Sequence, residues 1–252
     1  MSDPVYYKVL GVDGVCCHGG AGRWHTDGSW MPVVYGGLAP CVRGYHLCRD
    51  TDLVEWLGPV IWTAEGRGNS FVNPQYLIFQ EARVLQPMER WNDALARSFA
   101  VECARRVEPL LKAALPEENR IGEALAMAQA LAETSAKDFS QAHALAARIW
   151  TISRQVDGAV RDAAIAVYGA LNWESGGLAA WAAAGSARTS AAAAASELSM
   201  AESKAQGVHP RDAERTAGQA SAKAMNGERT WQTNRLFELL GEPLPQGVSF
   251  KT

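Results

Sequence analysis

The sequence predicts an α+β N-terminal domain followed by an all-α antiparallel helical bundle. Three observations lead there. Short β-branched and aromatic runs, four of the five cysteines and most of the glycines precede Pro87. Long alanine-rich segments with helical spacing follow it. Turn dipeptides punctuate the first part every few residues, whereas Gly and Pro in the second part are confined to a few breaks. The boundary falls between residues 1–88, a small α+β domain, and residues 89–252, the helical bundle.

In the first domain VYYKVL reads as a strand. Asp13-Gly14 is a turn dipeptide, and VCC reads as the return strand of a hairpin. The stretch HGGAGRWHTDGSW is a glycine-rich loop. WMPVVY reads as an edge strand, because Pro32 lacks a donor for a central ladder. YHLC reads as a further strand, and DLVEWL gives one or two helical turns with Asp50 or Thr51 as N-cap and acidic Asp52 in the first turn. Gly58-Pro59 stops it. PVIWTAE reads as a strand, GRGN as a turn, and YLIF and ARVL as two more strands.

Beyond Pro87, Leu145, Ile149, Ile152 and Val156 recur at helical spacing, and Val160, Ala164, Val167 and Leu171 repeat the stripe. The alanine run at 191–195 has high helix propensity and little volume, so neighbouring helices pack closely. Breaks are expected at Pro116, at Gly176-Gly177, and at Gly207 with Pro210. Trp231, Leu236, Phe237, Leu239 and Leu240 close the bundle, and Gly241 with Pro243 ends the last helix.

The balance of 24 Lys+Arg against 27 Asp+Glu in 252 residues is too even for an electrostatic footprint on nucleic acid. No run approaches the roughly 18 apolar residues of a membrane span, and the first residues lack the pattern of a secretory signal. Five cysteines argue against a disulfide framework. The expectation is a cytoplasmic protein with reduced thiols and neither a nucleic-acid nor a membrane partner. Self-association through the helical half is a further expectation.

Chemistry-bearing residues cluster early: Cys16, Cys17, His18, His25, Cys41, His46 and Cys48 all lie in the first 48 positions. No C-x-x-C or H-x-x-x-H knuckle joins them, so core packing is preferred over zinc and no metal site is assigned. His46 and Cys48 are two apart and share one face of a strand. HGGAG is not a phosphate loop, since no Lys-Ser/Thr follows. It does expose amides at Gly19 and Gly20 that suit an anion or a ribose. Trp24 and Trp30 flank this loop and are read as an exposed binding surface. The remaining tryptophans in periodic segments are read as core.

KVLGVDGVCCHGG, CVRGYHLCRDTDLVEWLG and IWTAEGRG together resemble a domain family of phage and bacterial proteins over roughly residues 6–85. The part ending in ERTWQTNRLFELLG resembles the alanine-rich, immunity-like tails fused to it. The resemblance carries no activity. It implies a phage- or mobile-element-associated interaction protein that recognises a host or defence protein, or a small nucleotide-like ligand. The order His18-Gly19, then Gly44-Tyr45-His46-Leu47 leading into DTDLVEWL, then VIWTAEGRG and Gln75-Tyr76-Leu77-Ile78-Phe79, also resembles ADP-ribosyltransferases of the poly-ADP-ribose polymerase type. That likeness implies NAD as cofactor, with His18 on its ribose and Tyr45 or His46 stacked on nicotinamide. Gln75 would stand where those enzymes place a glutamate, a departure that removes the charge needed for an oxocarbenium-like transition state.

Overall fold

The computed structural model describes residues 5–20, 22–134 and 138–245, so Ala21 of the glycine-rich loop and the two chain ends lie outside the described residues. Four strands, β1 (Tyr6–Leu10), β2 (Tyr45–Leu47), β3 (Val60–Val72) and β4 (Leu77–Pro87), form one antiparallel sheet in the order β1-β3-β4-β2. A 3-10 helix, Asp50–Glu55, lies between β2 and β3. The helical region follows as α1 (Asp93–Ala114), α2 (Arg120–Glu133), α3 (Ser140–Ser153), α4 (Gly158–Asn172), α5 (Gly176–Ala205) and α6 (Pro210–Leu240). The chain forms two compact units, one of residues 1–93 with 233–246 and one built on residues 94–232.

The sheet curls until its edges meet. Just beyond β2, Cys48 exchanges both backbone hydrogen bonds with Tyr7 of β1, at 2.8 and 2.9 Å. β1 therefore has β3 on one side and Cys48 on the other, and VCC cannot serve as its hairpin partner. The expected hairpin is corrected accordingly. The Asp13-Gly14 turn closes through Gly14 N–H to Gly11 O, and residues 14–16 then pair locally with 22–24.

GRGN is not a turn but the middle of a strand, and YLIF and ARVL are one strand, so β3 and β4 form a single long hairpin. Glycine was read as a breaker, but here it serves packing and bulging. The Phe79 ring lies across Gly66, leaving no room for a Cβ, and Gly68 takes φ +77° where the register shifts between Arg67 and Ser70. WMPVVY forms no strand, although Met31 and Val34 each donate a backbone hydrogen bond to β4 at Ala82 and Gln80. One face of the sheet packs Leu10, Leu47, Ala64, Phe79 and Val84 around Trp24.

In the helical unit, Gly169 of α4 meets Ala182 and Ala183 of α5, while Ser190 Oγ donates to Ala159 O at 2.8 Å. The start of α4 thus lies far along α5 and its end near the start of α5, which makes the pair antiparallel. Buried Arg97 donates to the carbonyls of Trp173 and Glu174 just beyond α4, satisfying helix-end acceptors. Helix breaks occur near Pro116 and Gly207, whereas Gly176 and Gly177 lie inside the first turn of α5. Phe237 does not close the bundle: its ring meets Tyr7 of β1 edge-on at 5.9 Å, within the sheet unit.

Candidate functional site

A cavity of about 570 Å³ opens between β1, β2, the loop after β1 and the end of the 3-10 helix. Its size is that of a small-molecule site. Lys8 on β1 lines it, as do Cys16, Cys17, Cys48, Met31 and a set of aromatic rings. Among the described lining residues none carries a carboxylate.

The rings form two groups. His18, Trp56, Tyr76 and His46 follow one another edge to face or tilted, with successive centroids 5.9, 5.9 and 5.1 Å apart. In a second group, Trp24 meets Tyr45 edge-on at 5.4 Å. The Lys8 ammonium sits 4.8 Å from the centre of the Trp24 ring, a cation–π distance.

Hydrogen bonds hold each polar ring and assign its tautomer. His18 Nε2 lies 2.9 Å from Trp56 O and 2.8 Å from Leu57 O. Carbonyls only accept, so Nε2 carries the proton and caps the end of the 3-10 helix. At His46 the roles reverse. Nε2 accepts the Cys41 N–H at 3.2 Å, which leaves Nδ1 as the protonated nitrogen of the neutral ring. Tyr45 donates its hydroxyl to Pro32 O at 2.7 Å, and Trp56 Nε1 donates to Gln75 O at 3.1 Å.

Burial sets the charge state of the cavity. It depresses His18 below the usual histidine value, against the backbone hydrogen bonds that favour its cation. It depresses His46 as well, with the nearby Lys8 charge adding to the effect. Burial raises the Cys17 thiol despite Lys8, and pushes Cys48 up to about 12. Lys8 itself is lowered by desolvation, opposed by the neighbouring thiols Cys16, Cys48 and Cys17. At neutral pH the imidazoles of His18 and His46 and the thiols of Cys17 and Cys48 are therefore neutral, beside the one amine of Lys8.

Most of the residues singled out from sequence converge here. His18, Gly19, Gly20, Trp24, Tyr45 and His46 all line the cavity. Trp24 does so from inside, only 5 % exposed, and not as an open surface. Gly19 and Gly20 take φ of +88° and +80°, are exposed, and line the cavity. Gln75 is exposed in the β3–β4 turn and contributes only its carbonyl, to Trp56. Trp30 lies away from the cavity, held by the guanidinium groups of Arg67 at 3.9 Å and Arg83 at 4.8 Å. Glu65 of β3 pairs with Arg83.

Sequence reading missed Lys8, Trp56 and Tyr76 as site residues. For Lys8 a signal existed: alternation in β1 puts it on the same face as Tyr6 and Leu10, and both pack into the core. A lone amine on an apolar strand face marks either a cavity or an unmatched charge. Among the described residues no three His, Cys, Asp or Glu side chains are arranged to hold a metal ion, and no helix is long and apolar enough to cross a membrane. No family model, curated protein or solved structure matches the chain.

Proposed function

We propose that this protein is a binding module for a small, planar, anionic ligand of the nucleotide type. The observation that carries the proposal is Lys8: an ammonium group in a cavity walled by aromatic rings and free of carboxylates among the described residues. A half-buried cation, desolvated by the surrounding rings and without an acidic partner lining the cavity, is costly unless an anion arrives to match it. The rings offer faces and edges to a planar heterocycle, and the backbone amides of exposed Gly19 and Gly20 offer donors to further anionic oxygens. The two histidines are held neutral, so they tune shape and hydrogen bonding while Lys8 supplies charge.

The test is a calorimetric titration of the full chain with ADP, adenosine and inorganic phosphate, with tryptophan fluorescence as a second readout. ADP is expected to bind more tightly than adenosine. Lys8→Met should erase that preference, a loss of roughly tenfold or more for a charge-assisted contact. Equal affinity for ADP and adenosine, or no binding of either, would overturn the proposal.

A second reading, ADP-ribosyl transfer from NAD, is favoured by the convergence of His18, Tyr45 and His46 on one cavity. Transfer needs a carboxylate or an equivalent charge to stabilise an oxocarbenium-like centre. Exposed Gln75 in the hairpin turn does not supply one. NAD is accordingly expected to behave in the titration as another nucleotide, with no label passed to lysate proteins. Transfer of label would replace the binding-module reading with an enzymatic one.

A further inference from the structure

The Lys8 amine has chemistry beyond attracting an anion. Its side chain projects from the β1 face that carries Tyr6 and Leu10, and what surrounds it is the Trp24 ring, the thiols of Cys16, Cys17 and Cys48, and two imidazoles. The Nε2 proton of His18 is committed to the carbonyls of Trp56 and Leu57, and the Nε2 lone pair of His46 to the Cys41 N–H. No carboxylate is among the described residues that line the cavity with it. An amine desolvated in this way gives up its proton more readily than a surface lysine, and its free lone pair is a nucleophile. The cavity beside it has room for a ligand of drug or cofactor size.

We propose that Lys8 Nζ condenses with an aldehyde group carried on a planar, anionic ligand to form a reversible protonated imine in this cavity. The proposal rests on the anion-binding reading of the same site and adds a covalent step to it. The ammonium first releases one proton to water. The Nζ lone pair then attacks the carbonyl carbon, the carbonyl π pair takes up a proton, and a carbinolamine forms. Loss of water, with one proton returned from solvent, leaves the C=N bond with nitrogen protonated. The balance is one ammonium and one aldehyde to one iminium and one water, with no change of oxidation state. The iminium keeps the positive charge, so the ligand's anionic group stays compensated after the bond has formed. The rings of Trp56, Tyr76 and Trp24, all lining the cavity, suit a ring conjugated to the new double bond.

The probe is pyridoxal 5′-phosphate, which joins an aromatic ring, an aldehyde and a phosphate. The full chain is incubated with less than one equivalent, reduced with borohydride, digested and mapped by mass spectrometry. Lys112, 70 % exposed on α1, serves as the internal reference amine. Lys8 is expected to trap faster than Lys112, by about tenfold for each pKa unit separating them, since each unit multiplies the free-amine fraction by ten. ADP is expected to protect Lys8 and leave Lys112 untouched. Lys8→Arg keeps the cation but cannot form an imine, so it should retain ADP binding while losing the visible absorbance of the bound adduct. Labelling of Lys8 no faster than Lys112 overturns the imine and leaves the anion-binding reading standing if ADP still binds. Preferential trapping at Lys8 with no ADP binding and no protection overturns the nucleotide reading and leaves the imine standing.

Discussion

His18 and His46 show how two identical residues acquire opposite hydrogen-bonding roles from their surroundings. His18 faces two carbonyls and must donate from Nε2; His46 faces an amide and must accept there. Imidazole nitrogen NMR shifts should report Nε2–H at position 18 and Nδ1–H at position 46. Both residues have folded-state pKa values depressed below 6.5. The unfolded chain therefore binds protons first as pH falls. Stability from these groups is fully present above about pH 6.5 and is lost as pH drops through the folded values. His46 protonation also opposes the Cys41 N–H with a second donor. Thermal melts across pH 7 to 5 should decline, and His46→Gln should flatten part of that decline. The same sign applies to Lys8, whose value is lowered from 10.5 by desolvation. Keeping its charge at neutral pH costs stability, so Lys8→Met is expected to raise Tm even as it abolishes anion selectivity. In a chain of this size each kcal/mol relieved is worth roughly 2–4 °C. A lower Tm would mean that the amine contributes to the fold. The types of these residues were legible in the sequence, but their protonation was not: His18 donates to carbonyls 38 and 39 positions away, and His46 accepts from an amide that only a folded turn brings to it.

At the scale of elements, the β3–β4 hairpin decides the shape of the site. Its length lets the sheet curl so that β2 and β1 meet, and its Phe79 fills the interior beside Tyr6 at 5.1 Å. Gly66 permits this: a Cβ there would stand 2.4 Å from the Phe79 ring. Gly66→Ala is therefore expected to cost about 1–3 kcal/mol, the usual range for overpacking a filled core. Urea denaturation would check it, and an unchanged midpoint would show that the ring swings aside freely. β1, β2 and the apolar stripes through Ile149 and Ile152 of α3 and through Ala164, Val167 and Leu171 of α4 could be read from spacing, because their periods are local. Val156 nevertheless lies beyond the end of α3, and the 3-10 helix starts at Asp50 with Arg49, rather than Asp50 or Thr51, as its N-cap. The hairpin through GRGN could not be read this way, because glycine at a turn and glycine under an aromatic ring look alike without the ring in place.

Over the whole molecule, the chain returns late to where it began. Residues 233–246 count with the N-terminal sheet, and Phe237, 2 % exposed, packs edge-on to Tyr7. Phe237→Ala should destabilise the sheet unit by roughly 3–5 kcal/mol, as large-to-small changes at filled sites do. Hydrogen exchange of the β1 amides reads this directly, and unchanged β1 protection would contradict it. Taken by itself, the sequence left the breaks between α2, α3 and α4 unread but determined the α+β-to-helical order, the strands β1 and β2, the helix breaks near Pro116 and Gly207, and the crowding of His, Cys, Gly and Trp near the start. These follow from composition and from periods of two and 3.6 residues, which act between near neighbours. Only the tertiary structure decided that Cys48 closes the sheet on Tyr7, that Gln75 and Trp30 stand apart while Lys8, Trp56 and Tyr76 come in, and that the last helix serves the first strand. Those outcomes depend on which distant segments exclude water together, and hydrophobic burial is non-directional: it rewards any partner of suitable shape, however far along the chain.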